Sequence, residues 1–225
     1  MNIENTYHNL TFLNTDFELL VRDQLFHHAI SYILILSLII LAWVKLINTD
    51  FLKKTFLSIF RKNTFVIDQD KSTNSIVKAS ILLTLNYFLL SALTVYMLKI
   101  YYELTFPIIF ILIPSTYFLF VHLCMIFGAS ITGDIEKVKS NIRLYSVVHQ
   151  LLGVILLPLI LLWYLNPDLS EFIIILIFIF TFLLLLLRLV RGFFIGIENK
   201  FTWYYLILYF CTLEIWPIAV LIKIA

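Results

Sequence analysis

Residues 203–225 read WYYLILYFCTLEIWPIAVLIKIA. The stretch is long enough to cross a bilayer, because a helix needs about 20 mostly apolar residues to span ~30 Å of hydrocarbon. Near its middle it carries a carboxylate, Glu214, one turn from Cys211 and just before Trp216 and Pro217. A charge at that depth costs about 3 kcal/mol on insertion scales, against roughly 0.3–0.6 kcal/mol returned by each Leu, Ile or Phe. The flanking apolar residues therefore suffice to carry Glu214 into a membrane.

The rest of the chain has the same character. Of 225 residues 62% are hydrophobic and 13% charged, with a mean hydropathy of +1.00, whereas soluble domains are about half apolar and a quarter charged. The apolar residues come in runs too long for a globular core. The fold expected is all-α: a polytopic bundle of six transmembrane helices, at about 29–46, 79–97, 106–127, 146–165, 172–190 and 204–222. The links around Tyr101-Tyr102-Glu103 and Asn166-Pro167-Asp168 are short, so spans two and three, and four and five, form antiparallel hairpins.

Two soluble parts flank or interrupt this domain (28–225). Residues 1–27 carry Glu4, Asp16, Glu18 and Asp23 against Arg22. There Thr15-Asp16-Phe17-Glu18 has the form of a capping box and opens a short interfacial helix. The first apolar run starts too late, and after too acidic a segment, for a cleaved signal peptide. The loop 47–78 is basic. Its Phe51–Phe60 stretch with Lys53, Lys54, Arg61 and Lys62 reads either as a surface helix, aromatics in the headgroups and lysines on anionic lipid, or as a flank that merely sets topology.

Basic residues orient the chain. Lys45, Lys53, Lys54, Arg61, Lys62, Lys71 and Lys78 follow span one, Lys137, Lys139 and Arg143 follow span three, and Arg188, Arg191 and Lys200 follow span five. That places 13 of the 16 Lys and Arg on one side. The positive-inside rule makes that side cytoplasmic and puts both termini outside, in a bacterial inner membrane on the periplasmic face.

No CxxC, HExxH, Gly-rich phosphate loop or GxSxG occurs, and five glycines leave little material for a phosphate cradle. Catalytic residues and a metal site are not expected, and no feature points to nucleic acid. Cys124 and Cys211 both lie in apolar runs and read as buried side chains without a disulfide. Span five is apolar all round and is expected at the bundle edge. Spans two, three and four carry the polar residues and are expected inside. Asn86, His122 and His149 lie at similar depth, roughly 7–10 Å from the cytoplasmic boundary at 1.5 Å per residue, and Arg188 reaches toward the same layer. The layer could serve a proton path, a quinone or a haem held by His122 and His149; the plainer reading is a set of hydrogen bonds pinning helices together, each worth about 0.6 kcal/mol. No cofactor is otherwise expected. Gly153, four residues from His149, allows a close helix approach.

Glu214 carries the higher cost and two open readings. Pro217 cannot donate a backbone hydrogen bond and so frees the carbonyl of Leu213 on the same helix. Either a neutral Glu214 donates to such a group as a strut, or the carboxyl is a working intramembrane site.

The segment Leu208-Tyr209-Phe210-Cys211-Thr212-Leu213-Glu214-Ile215-Trp216-Pro217 resembles the C-terminal signature, roughly LYxCxLEIxP, of a Bacteroidota membrane family, domain of unknown function 4271. The basic first loop, Gly153 and Pro158 in span four, and Arg191-Gly192 after span five extend the resemblance over most of the chain. It implies an inner-membrane protein without an assigned reaction, and it marks Tyr209, Cys211, Leu213, Glu214 and Pro217. The sequence thus leads to a non-enzymatic structural or accessory subunit of an inner-membrane complex, surrounded by lipid and other membrane proteins. The rivals are a small transporter or proton-conducting component built on Glu214, and a haem- or quinone-handling protein.

Overall fold

The computed structural model describes residues 28–60, 73–105, 107–132 and 135–198. These form α1 (His28–Ile47), α2 (Phe51–Phe60), α3 (Thr73–Tyr101), α4 (Ile113–Thr132, entered through a 3-10 turn at Ile108–Leu112), α5 (Ile135–Leu165) and α6 (Ser170–Glu198, entered through a 3-10 turn at Pro167–Leu169). No strand occurs among the described residues. Five stretches are long and apolar enough to cross a membrane: His28–Ile47, Asn74–Tyr101, Ile108–Phe127, Lys139–Leu165 and Pro167–Ile195. They correspond to the first five expected spans. The sixth, at 204–222, lies outside the described residues, as do the segment 1–27 and loop residues 61–72.

α5 is the axis. Within Lys139–Leu165, 61% of the spanning window is buried, more than in any other described span. The six residues at 148–153 are buried without interruption, so at that level the helix is enclosed on every side. It packs against α3, α4 and α6. One core runs along it, from Tyr145, Val148, Leu152 and Leu156 to Ile160 and Trp163, joined by Leu90 and Leu93 of α3, Phe118 and Val121 of α4, and Ile173, Ile174 and Ile177 of α6.

The closest contact lies where α5 has no side chain. A Cβ placed on Gly153 would sit 2.8 Å from the Tyr87 Cα and 3.1 Å from its backbone nitrogen. The obstacle is the α3 backbone, which no rotamer change can move. Small residues drive such contacts in lipid, where burial of apolar surface gives no advantage over lipid tails and close van der Waals packing must supply the attraction. Pro158, one turn further on, faces outward, and α5 continues through it.

The links are built from backbone bonds. α3 ends with Glu103 in the left-handed region (φ 51). There the Leu104 N–H bonds the Lys99 carbonyl at 3.0 Å and the Glu103 N–H bonds that of Ile100 at 3.2 Å, the six-to-one and five-to-two pattern that closes a helix. Asn166 and Pro167 turn α5 into α6, with the Leu169 N–H on the Asn166 carbonyl at 3.1 Å. Both short hairpins read from the sequence are therefore present.

Two expectations need correction. α4, expected inside the bundle, is the least enclosed spanning stretch, with 17% of its window buried. Its exposed Thr116 does not require an interior: the hydroxyl donates to the Leu112 and Ile113 carbonyls of its own helix turn at 3.1 and 3.0 Å and so is not stranded on the outer face. α2 does not turn all its aromatics to headgroups. Phe51 and Thr55, four apart, are buried, and Phe51 packs with Val44, Ala79 and Leu83 in a second small core. Lys53, Lys54 and Phe56 are exposed on the other side.

Gly153→Ala is expected to force α3 and α5 apart and cost about 1–3 kcal/mol, and Gly153→Leu to prevent accumulation of folded protein. Thermal unfolding of the purified chain in mild detergent measures the first, membrane blots the second. An unchanged melting curve for Gly153→Ala would refute the close packing.

Candidate functional site

The polar side chains of the described interior fall into two groups around α3 and α5. In the first, Ser37 of α1 donates to the Asn86 side-chain oxygen of α3, and both residues are fully buried. One turn nearer the start of α3, the Gln150 amide of α5 lies 3.0 Å from the Ser80 carbonyl, 2.8 Å from the Ser80 hydroxyl and 3.0 Å from the Thr84 hydroxyl. α1, α3 and α5 are thereby fastened to one another. Near the other end of α1, Ser31 and Tyr164 share a 2.7 Å bond that ties it to α5 again.

The second group is aromatic and gathers on Phe118 of α4. Its ring contacts Tyr145 at 5.0 Å, His149 at 5.1 Å, Phe88 at 5.2 Å, His122 at 5.7 Å and Tyr87 at 5.9 Å between centroids. Tyr145 and His149, one helical turn apart, lie 4.3 Å from each other. The Tyr145 carbonyl can only accept, so the His149 Nδ1 at 2.8 Å must carry a proton. In a neutral ring Nε2 is then the acceptor. Into this cluster α6 sends Arg188, 5% exposed, with its guanidinium carbon 4.2 Å above the centre of the Tyr145 ring. A desolvated cation over an aromatic face is worth about 2 kcal/mol.

The residues singled out from the sequence are placed as follows. His149 and Arg188 meet around Tyr145, with His122 at the cluster's edge, its ring 6.2 Å from that of Tyr145. The two histidines do not face each other across an open slot, because the Phe118 ring packs against both. Asn86 belongs to the Ser37 contact instead. Among the described residues the Asn86 side-chain nitrogen and the His122 Nδ1 are buried without a hydrogen-bond partner. Cys124 is a free, half-buried thiol. Lys53 and Lys54 are exposed; Arg61, Lys62, Tyr209, Cys211, Glu214 and Pro217 lie outside the described residues. No three of His, Cys, Asp and Glu come together among the described residues.

Tyr87, Phe118 and Tyr145 were not singled out from the sequence. One signal was available for Tyr145: it stands four residues before His149 and so shares its face. Phe118 offered none, since one Phe among 21 in a lipid-soluble chain carries no mark of its position.

An all-helical arrangement with five membrane-length apolar helices, polar side chains spent between helices and apolar residues turned outward defines a multi-pass membrane protein. The chain belongs to the family described as Domain of unknown function (DUF4271), which matches residues 30–225. No curated protein and no solved structure matches the chain.

Tyr145→Phe keeps the ring under Arg188 and gives up the 3.4 Å contact of the hydroxyl with the Phe118 carbonyl, which is too long to be worth much. Tyr145→Leu removes the ring itself. The expected losses in detergent unfolding are under about 1 kcal/mol for Phe and about 2 kcal/mol or more for Leu. Equal losses would refute the guanidinium–ring contact as the stabilising element.

Proposed function

We propose that the chain is a non-enzymatic structural or accessory subunit of a complex in a bacterial inner membrane, of Bacteroidota type. It has six spans and both termini on the periplasmic side. The observation that carries this reading is how the described interior is used. Ser37, Asn86, Gln150, Ser80 and Thr84 are engaged between helices, and the space beside them is filled by the rings around Phe118. Such an interior holds helices in place. The outward apolar surfaces of α4 and α6, with Phe120, Leu123, Phe127, Phe178, Phe182 and Phe194 exposed, are available to lipid and to neighbouring membrane proteins.

One observation favours the transporter or proton-conducting alternative: Arg188 is buried inside a membrane helix beside His149 and Tyr145, and intramembrane ionisable residues mark ion and substrate paths by default. That reading uses Glu214 as the proton-carrying group. A haem between His122 and His149 finds less support, because Phe118 packs against both rings.

Two measurements test the proposal. Alkaline phosphatase fused after Ala225 is expected to be active, and fused within loop 47–78 inactive; the reverse pattern would overturn the topology. Purification of the tagged chain from its native membranes in mild detergent is expected to bring at least one membrane protein in stoichiometric amount. A lone chain that supports proton flux in liposomes would overturn the accessory role in favour of the conducting one.

A further inference from the structure

We infer that the outward face of α2 is a docking surface for anionic phospholipid. Lys45, Lys53, Lys54 and Lys78 meet the headgroup phosphates, and Phe56 and Leu57 rest on the acyl boundary beneath them. The inference stands on α1 and α3 as membrane spans and not on the accessory role. Three observations lead there. The first is height. α1 ends at Ile47 and α2 begins at Phe51, so the link Asn48-Thr49-Asp50 holds α2 at the end of a spanning helix. The link is itself fixed. The Asn48 N–H bonds the Val44 carbonyl at 3.1 Å, the Phe51 N–H the Asn48 carbonyl at 3.1 Å, and the Asp50 N–H the Asn48 side-chain oxygen at 3.2 Å. With 10 residues, α2 is about 15 Å long, half of what crossing ~30 Å of hydrocarbon requires. Phe51 is seated on Val44, Ala79 and Leu83, near the ends of α1 and α3, so the helix stays at the boundary. Trp43, exposed one turn before the end of α1, marks the level at which indole rings collect.

The second is the division of α2 into two faces. Phe51 and Thr55 are buried, while Lys53, Lys54, Phe56 and Leu57 are exposed. Leu57 stands four residues after Lys53 and three after Lys54, and so shares their face. A face that mixes two ammonium groups with Leu and Phe suits neither bulk water nor hydrocarbon. The headgroup layer offers both surroundings: acyl chains for the apolar side chains, and phosphates within reach of the long lysine stems.

The third is charge. Lys45 and Lys78 are exposed as well, and each stands next in sequence to a residue of the small core under Phe51, Val44 and Ala79 respectively. Four lysines therefore border one docked helix, with Asp50 of its link the counter-charge nearest in sequence. At the opposite end of the spans Glu103, Asp168 and Glu171 are exposed, against Lys99. The end that carries α2 is cationic and the other acidic, and an anionic lipid surface is the complement of the first.

The test uses the full-length chain in nanodiscs of phosphatidylcholine and phosphatidylglycerol in equal amounts. Lipid that stays on the protein after release into mild detergent, read by native mass spectrometry, is expected to favour phosphatidylglycerol. Lys53→Glu with Lys54→Glu is expected to lower that preference about fivefold or more, and Lys53→Arg with Lys54→Arg to keep it. Salt is expected to weaken the preference of the unaltered chain. The same preference in the Glu variant, or one indifferent to salt, would overturn the assignment. Should the Glu variant fail to accumulate, a spin label on Leu57→Cys, in a Cys124→Ser, Cys211→Ser background, leaves every lysine in place. In the nanodiscs the label is expected to be reached by dissolved oxygen and shielded from a water-soluble nickel chelate. Ready access of the chelate would overturn the docking and leave the face to a soluble acidic partner.

Discussion

Where α3 crosses α5, the Gly153 Cα lies against the Tyr87 backbone with no room for a methyl group between them. The rest of the bundle depends on that approach. In lipid two helices gain little by burying leucines against each other, because the acyl chains are equally apolar. What holds them is contact between backbones and the hydrogen bonds that such closeness permits. With Gly153 in place, Gln150 reaches Ser80 and Thr84, and the Tyr87 ring comes edge-on to His149 at 5.1 Å. Both groups of polar contacts are thus set by the same missing side chain.

From this contact the cluster builds outward through aromatic rings. Phe118 links α4 to α3 and α5 in one layer, and Tyr145 offers a ring face to Arg188. A guanidinium in hydrocarbon is expensive, but here it meets a ring face in a packed interior. The packing also accounts for the uneven exposure of the helices. α5 is enclosed because polar or aromatic contacts from α1, α3, α4 and α6 converge on it. α4 commits Phe118, Val121 and Met125 to the core and exposes Leu119, Phe120, Leu123, Ile126 and Phe127, its Thr116 satisfied by its own backbone.

Under the proposed accessory role the described chain would divide its labour. The half of the described chain around α3 and α5 is a frame in which Ser37 meets Asn86 and Gln150 meets Ser80 and Thr84. The outer surfaces of α4 and α6, and the exposed lysines of α2, face whatever surrounds the protein. A frame of this kind suits a part whose work is to present surfaces to neighbours in the membrane. Its membership of a family of unknown function is compatible with that reading.

The sequence by itself determined the solvent, the helical class and the positions of the first five spans, because transfer into hydrocarbon adds up residue by residue along a helix and needs no partner. It also marked the two hairpins, since Tyr102-Glu103 and Asn166-Pro167 leave no length for any other connection, and it named Gly153 as a place of close approach. It did not say that the neighbour there is Tyr87, that α4 is largely outside, or that Phe118 and Tyr145 carry His149 and Arg188. In water an apolar stripe tells which face of a helix is buried; in lipid both faces are apolar and the stripe disappears. Which side of α4 or α6 turns inward is then decided by shape and by the few polar groups that find partners. Those are properties of pairs of helices, and only the tertiary structure contains them.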